Sequence, residues 1–167
     1  MMEERKQEIG AEPDQVFEIF LRPGELYWSN DSATRIRTLL GSCVAICLWH
    51  PRRKIGGMCH YLLPRRSDRA GAGPDPRYGD EAMELFLAEI GAATTRPSQY
   101  VAKVFGGGNM FEKINVSGSI GDGNVQLARE MLGRHGIRIV AGDMGGVQDR
   151  RLMFDLWSGD AWLKRKK

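Results

Sequence analysis

Residues 1–14 are polar and predict a flexible N-terminal segment. Beyond them, short apolar runs alternate with glycine, proline and charged clusters, the pattern of strands and tight turns. Val16-Phe17-Glu18-Ile19-Phe20-Leu21 predicts a strand ended by Arg22-Pro23-Gly24. Glu25-Leu26-Tyr27-Trp28 predicts a second, followed by a Ser29-Asn30-Asp31-Ser32 turn. Arg35-Ile36-Arg37-Thr38-Leu39-Leu40 alternates and then turns apolar, as a strand entering a core does, before Gly41-Ser42 breaks it. Val44 to Trp49 and Ile55 to Leu63 form two apolar runs across a polar His50-Pro51-Arg52-Arg53 turn, with Pro64 as the stop. They predict a hairpin in which Trp49 faces Lys54, 47 opposes 56 and 43 opposes 60.

The pattern then changes period. Arg65 to Tyr78 is a polar loop carrying Gly71, Gly73, Pro74 and Pro76, with no motif inside it, and is expected to be a flexible segment. Asp80 is the expected N-cap of a helix with Ala82, Met83, Phe86, Leu87 and Ile90 on one stripe. Tyr100 to Phe105 predicts a strand ended by Gly106-Gly107-Gly108. A second helix is expected after Gly121-Asp122-Gly123-Asn124, with Val125, Leu127, Ala128, Met131 and Leu132 as its stripe and Gly136 as its end. Strands follow at Ile137 to Ala141 and Leu152 to Trp157, and a Ser158-Gly159-Asp160 turn leads into Ala161-Trp162-Leu163. Many strands with two strong helices imply a mixed α/β fold, helices covering sheet faces, in one domain over 15–167.

Composition narrows the classes. A chain of 167 residues with 42% hydrophobic content builds a real core. A net charge of +3, with both signs mixed along the chain, argues against nucleic acid. The basic Lys164-Arg165-Lys166-Lys167 tail reads as a solvated terminus. No apolar run approaches the ~18 residues of a membrane span, and Met1-Met2-Glu3-Glu4-Arg5-Lys6 leads into no secretory core. Three cysteines without an export signal imply reduced thiols in a cytoplasm.

The candidate chemistry lies at the hairpin. Cys43 follows Gly41-Ser42 at a strand edge, and His60 sits opposite in the predicted register. An imidazole beside a thiol supplies the base of a cysteine nucleophile. Backbone N–H groups near Gly41 and Ser42 can stabilise an oxyanion, and Thr38 or Ser42 can orient the imidazole. The same residues admit other readings: a small core thiol with a satisfied strand histidine, or Cys43, Cys47 and His60 as three zinc ligands, which lack any C-x-x-C. Cys47 reads as core, Cys59 points to the other face, and His50 and His135 read as surface residues. Gly106-Gly107-Gly108 lacks the phosphate-loop pattern and reads as a turn or the backbone wall of a site.

Six motifs occur in order: Pro23-Gly24-Glu25; Thr38-Leu39-Leu40-Gly41-Ser42-Cys43-Val44-Ala45; Gly56-Gly57-Met58-Cys59-His60-Tyr61-Leu62-Leu63-Pro64; Arg77-Tyr78-Gly79-Asp80-Glu81-Ala82-Met83-Glu84; Lys103-Val104-Phe105-Gly106-Gly107; and Gly142-Asp143-Met144-Gly145-Gly146. Together they resemble the CheD family of chemoreceptor glutamine deamidases, from about Val16 to Lys164. The resemblance implies a cytoplasmic chemotaxis hydrolase that converts selected glutamines of methyl-accepting receptors to glutamate and ammonia, without metal or cofactor. It implies Cys43 as nucleophile, His60 as catalytic histidine and Thr38 as third member. Cys59 stands where the family often has asparagine. It further implies an α/β sandwich resembling the catalytic domain of cytotoxic necrotizing factor toxins, and a CheC-type phosphatase as a second partner. The alternative function is mainly binding, to such a phosphatase or to receptors, with catalysis secondary.

Overall fold

The structure, a computed structural model, describes residues 10–109 and 119–166. Residues 1–9 of the expected flexible segment lie outside the described residues. Among the described residues, nine strands and two α-helices follow in the order β1 (Phe17–Phe20), β2 (Leu26–Ser29), β3 (Thr34–Leu40), β4 (Val44–His50), β5 (Ile55–Tyr61), α1 (Gly79–Ala92), β6 (Val101–Gly106), α2 (Ile120–Arg134), β7 (Arg138–Met144), β8 (Arg150–Asp155) and β9 (Ala161–Arg165).

The strands form two mixed sheets, one ordered β1-β3-β8-β9 and the other β2-β5-β4-β6-β7. Alternation in β4 and β5 divides the interior. Val44, Ile46, Leu48, Cys59 and Tyr61 pack with Phe86 and Ile90 of α1 and Leu127 and Leu132 of α2. Ala45, Cys47 and Met58 face the other way and pack with Ile36, Leu40, Leu152 and Phe154 of the four-stranded sheet. The five-stranded sheet is therefore covered on both faces, which explains why every residue of β5 is buried. The helices cover only this sheet; among the described residues the outer face of the four-stranded sheet stays open and exposes Phe20, Leu39 and Trp162.

The hairpin closes two residues away from its expected register. His50 pairs with Ile55, so Ala45 opposes His60. The cause lies in the turn. His50 is a buried strand residue, not a surface one, stacked edge-on to Tyr100 and accepting the Arg53 N–H at Nδ1. Lys54 then takes a left-handed φ of 53° and donates its N–H to the His50 carbonyl. A shift of two preserves the face of every side chain, so Cys43 and His60 still point to the same side.

Four further expectations change. Tyr78, not Asp80, holds the N-cap of α1, and Asp80 Oδ1 accepts the Glu81 N–H inside the first turn. Helix α2 starts before the expected glycines, capped by Ser119, whose Oγ accepts the Asp122 N–H. The 65–78 loop is pinned: Arg66 donates to Glu81 at 2.7 Å, and Arg69 lies 3.3 Å from the same carboxylate and bonds Glu84. Lys164 and Arg165 are paired residues of β9 rather than a free tail, with Arg165 bonded to Asp143, although both side chains stay exposed to solvent.

Candidate active site

The site forms where β3, β4 and β5 end together. His60 is 1% exposed and its backbone is held by the Pro23-Gly24-Glu25 turn: Gly24 donates to the His60 carbonyl, and the His60 N–H donates to the Glu25 carbonyl. Gly24 has a φ of 84°, which a side chain resists. On β3, Thr38 projects inward, 1% exposed.

Thr38 Oγ1 lies 2.7 Å from His60 Nδ1 and 2.8 Å from the Leu21 carbonyl oxygen. A hydroxyl has one proton, and a carbonyl only accepts. The Thr38 proton therefore goes to Leu21, and Nδ1 must be the donor to Thr38. This fixes the imidazole as its Nδ1–H tautomer and leaves the lone pair on Nε2. That buried atom has no hydrogen-bond partner among the described residues. Burial lowers the His60 pKa to about 4, so the ring is neutral at pH 7.

Cys43 is half-buried in the turn between β3 and β4. Burial raises its thiol pKa, with a smaller opposing effect from its own N–H. Both groups thus rest neutral, as a thiol and a basic imidazole on one side of the hairpin. Cys47 and Cys59 are fully buried, on opposite faces of the sheet; burial pushes Cys47 well up and Cys59 to about 12. Among the described residues no three His, Cys, Asp or Glu side chains cluster to hold a metal, so Cys43, Cys47 and His60 do not converge as a ligand set.

The turn itself is gripped through its carbonyls. Gly108 donates to the Gly41 oxygen at 3.0 Å, Gly107 to the Cys43 oxygen at 2.8 Å, and Asn124 Nδ2 to the Ser42 oxygen at 3.2 Å. The glycine run is the backbone wall, and it is glycine by necessity. A Cβ on Gly107, whose φ is 68°, would lie 2.3 Å from Val125 Cγ2, and one on Gly121 would lie 2.5 Å from the Gly107 oxygen. Behind the wall, Gly145 donates to the Gly106 carbonyl and Arg150 holds Asp143. The Ser42 amide donates to no acceptor among the described residues, and the Cys43 amide to none but its own sulfur. Ser42 contributes its backbone; no hydrogen bond of its hydroxyl occurs among the described residues.

Thr38, and not Ser42, lies against the His60 imidazole, while Gly41, Ser42 and Cys43 form the turn between β3 and β4, with Cys43 on the same side of the hairpin as His60. Asn124 was missed. Its signal was position: three and four residues before Leu127 and Ala128, it is a polar side chain on the apolar stripe, and it is 0% exposed.

Residues 62–165 match the family model described as CheD chemotactic sensory transduction. The chain belongs to the CheD family. A relative named "Probable chemoreceptor glutamine deamidase CheD 3" from Dechloromonas aromatica is 49% identical over 156 residues, 93% of this chain and 91% of that one. A CheD protein from Pseudomonas syringae pv. tomato, also named a probable chemoreceptor glutamine deamidase, is 46% identical over 157 residues, 92% of each chain. Among solved structures, the Bacillus licheniformis hypothetical protein YfiH aligns with a TM-score of 0.49 at 11% identity, covering 82% of this chain and 62% of that one. The six motifs of the CheD resemblance gather at one place: the Gly24 turn holds His60, the Arg77 carbonyl accepts from Leu62 and Leu63, and the Gly106 and Gly145 segments back the Cys43 turn. No helix of the described residues is long and apolar enough to cross a membrane.

Proposed function

We propose that this protein is a chemoreceptor glutamine deamidase with Cys43 as nucleophile, His60 as general base and Thr38 as the residue that orients the base. The observation that carries the mechanism is the committed Thr38 proton, which leaves the His60 Nε2 lone pair unpartnered on the side of the hairpin that also carries the neutral thiol. Kinship to proteins named for chemoreceptor glutamine deamidation supports the substrate.

In the reaction, Nε2 takes the Cys43 proton as sulfur attacks the glutamine side-chain carbonyl. Negative charge develops on the carbonyl oxygen, to which the Ser42 and Cys43 amides, neither bonded to another described residue, donate. Such a donor contributes about 3–4 kcal/mol in enzymes of this type. The imidazolium returns its proton to the leaving nitrogen, releasing ammonia and a thioester. Water, deprotonated by His60, then releases glutamate and the thiol. The receptor helices involved are cytoplasmic ones, and each turnover adds a negative charge to them.

The test is incubation of the protein with a receptor cytoplasmic fragment, followed by mass spectrometry for replacement of side-chain NH2 by OH. The native protein converts specific glutamines and Cys43→Ala converts none. Conversion by Cys43→Ala at the native rate would sink the mechanism.

A further inference from the structure

Asn124 sits in α2, fully buried, and both hydrogens of its amide are used: one on the Ser42 carbonyl at 3.2 Å, one on the Leu62 carbonyl at 2.9 Å. Both neighbours are acceptors, so the NH2 must face them and the amide orientation is settled by chemistry. Its Oδ1 is buried without a partner among the described residues. The side chain is thus held at this position by its two donors, at the expense of its acceptor.

A trans peptide points its C=O and its N–H in opposite directions. Gripping the Ser42 oxygen from the helix side therefore aims the Cys43 N–H away from the helix. Gly108, by holding the Gly41 oxygen, does the same for the Ser42 N–H. We propose that Asn124 is a positioning residue that orients the Cys43 amide as an oxyanion donor, with Gly108 performing the matching task for Ser42. Asn124 touches no substrate; it acts through the Ser42–Cys43 peptide. The assignment rests on the reading of Cys43 as the nucleophile of an amide hydrolysis.

Asn124→Ala and Asn124→Ser separate this role from scaffolding. Three readouts are taken on the full chain: thermal unfolding, steady-state deamidation of a receptor fragment, and the rate of Cys43 alkylation by iodoacetamide. Alkylation displaces iodide at a saturated carbon and builds no oxyanion, and Cys47 and Cys59 are too buried to react. The expected result is a kcat lower by about 10- to 100-fold, below the loss of a whole oxyanion donor, with KM and alkylation rate unchanged. Full kcat in a folded variant overturns the proposal. So does a parallel fall in alkylation rate, which would put the effect on the thiol or on His60. Failure of both variants to fold would make Asn124 structural and overturn it as well. A parent protein that deamidates nothing sinks both this assignment and the deamidase reading; an active parent with fully active variants sinks this one alone.

Discussion

Thr38 accepts a hydrogen bond from His60 Nδ1 because its own proton is committed to the Leu21 carbonyl, 2.8 Å away. The relationship ties a β3 hydroxyl, a β5 imidazole and the end of β1 into one directed chain. Thr38→Val keeps the shape and removes the acceptor. It is expected to leave Nδ1 unsatisfied, to cost about 1–3 kcal/mol in stability, and to lower kcat by about 10- to 100-fold, part of what a positioned base contributes. Thr38→Ser restores the hydroxyl and most of the rate. Nitrogen NMR of His60 checks the tautomer: the Nδ1–H form dominates in the native protein and in Thr38→Ser, and is lost in Thr38→Val.

Stability should fall with acid through His60. Its folded pKa is about 4, below the ordinary 6.5. The unfolded chain therefore binds the proton more readily between these values. The stabilisation from the neutral ring is complete above pH 6.5 and is lost as pH falls towards 4, with a full loss of about 3 kcal/mol from the pKa difference. Urea titrations from pH 7 to 4 read this slope. His60→Gln, an uncharged replacement, should flatten it, and an unchanged slope in that variant would assign the effect elsewhere.

Cys43 rests as a thiol, raised above its ordinary value of 9.0 by burial. Its alkylation by iodoacetamide should accelerate steadily with pH between 7 and 10, since only the thiolate reacts. A rate that is flat from pH 5 upward would reveal a thiolate–imidazolium pair instead.

Of the three thiols, Ellman's reagent should titrate Cys43 alone in the folded protein and all three after denaturation. Cys47→Ala and Cys59→Ala each remove a small buried side chain and should keep most activity with a modest fall in thermal stability.

Glu81 anchors the 65–78 loop through Arg66 and Arg69 although its side chain is only 4% exposed. Glu81→Ala strands Arg66 and leaves Arg69 with Glu84 alone. We expect a loss of about 1–3 kcal/mol, under the 3–5 of a fully buried pair because the arginines can swing into water. Trypsin should then cut at Arg66 or Arg69 faster than in the native chain; unchanged cleavage would mean that other contacts hold the loop.

What was legible in the sequence follows from what periodicity encodes. Alternation in β3 was readable because its burial repeats every second residue, and the apolar runs of β4 and β5 because both faces of their sheet are covered. The faces of Cys43, Cys47 and Cys59 followed from parity alone. Register was not readable, because it was set by the buried His50 ring and by the left-handed Lys54, neither of which periodicity records. The start of α2 was misplaced because glycine argues against helix locally, whereas Gly121 is required by contact with the Gly107 and Gly108 carbonyls, distant in sequence. The pinned loop escaped for a similar reason. Arg66 and Glu81 are fifteen residues apart, and composition alone reads such a stretch as slack.

The two-residue offset of the hairpin has a consequence for how a substrate enters. Directly opposed side chains stand roughly 4.5–5.5 Å apart at Cβ, whereas diagonal neighbours stand roughly 7–8 Å apart. Had residue 43 faced residue 60 squarely, sulfur and ring would close on each other and leave no slot between them. Instead the short methyl of Ala45 faces the imidazole and the thiol lies one diagonal step away. That step leaves the imidazole buried behind a core alanine while the thiol stays half-exposed, so a carboxamide meets sulfur first and the base from behind it. The alanine acts as a buried spacer, and a bulkier residue at 45 would have to displace the imidazole or the core side chains around it.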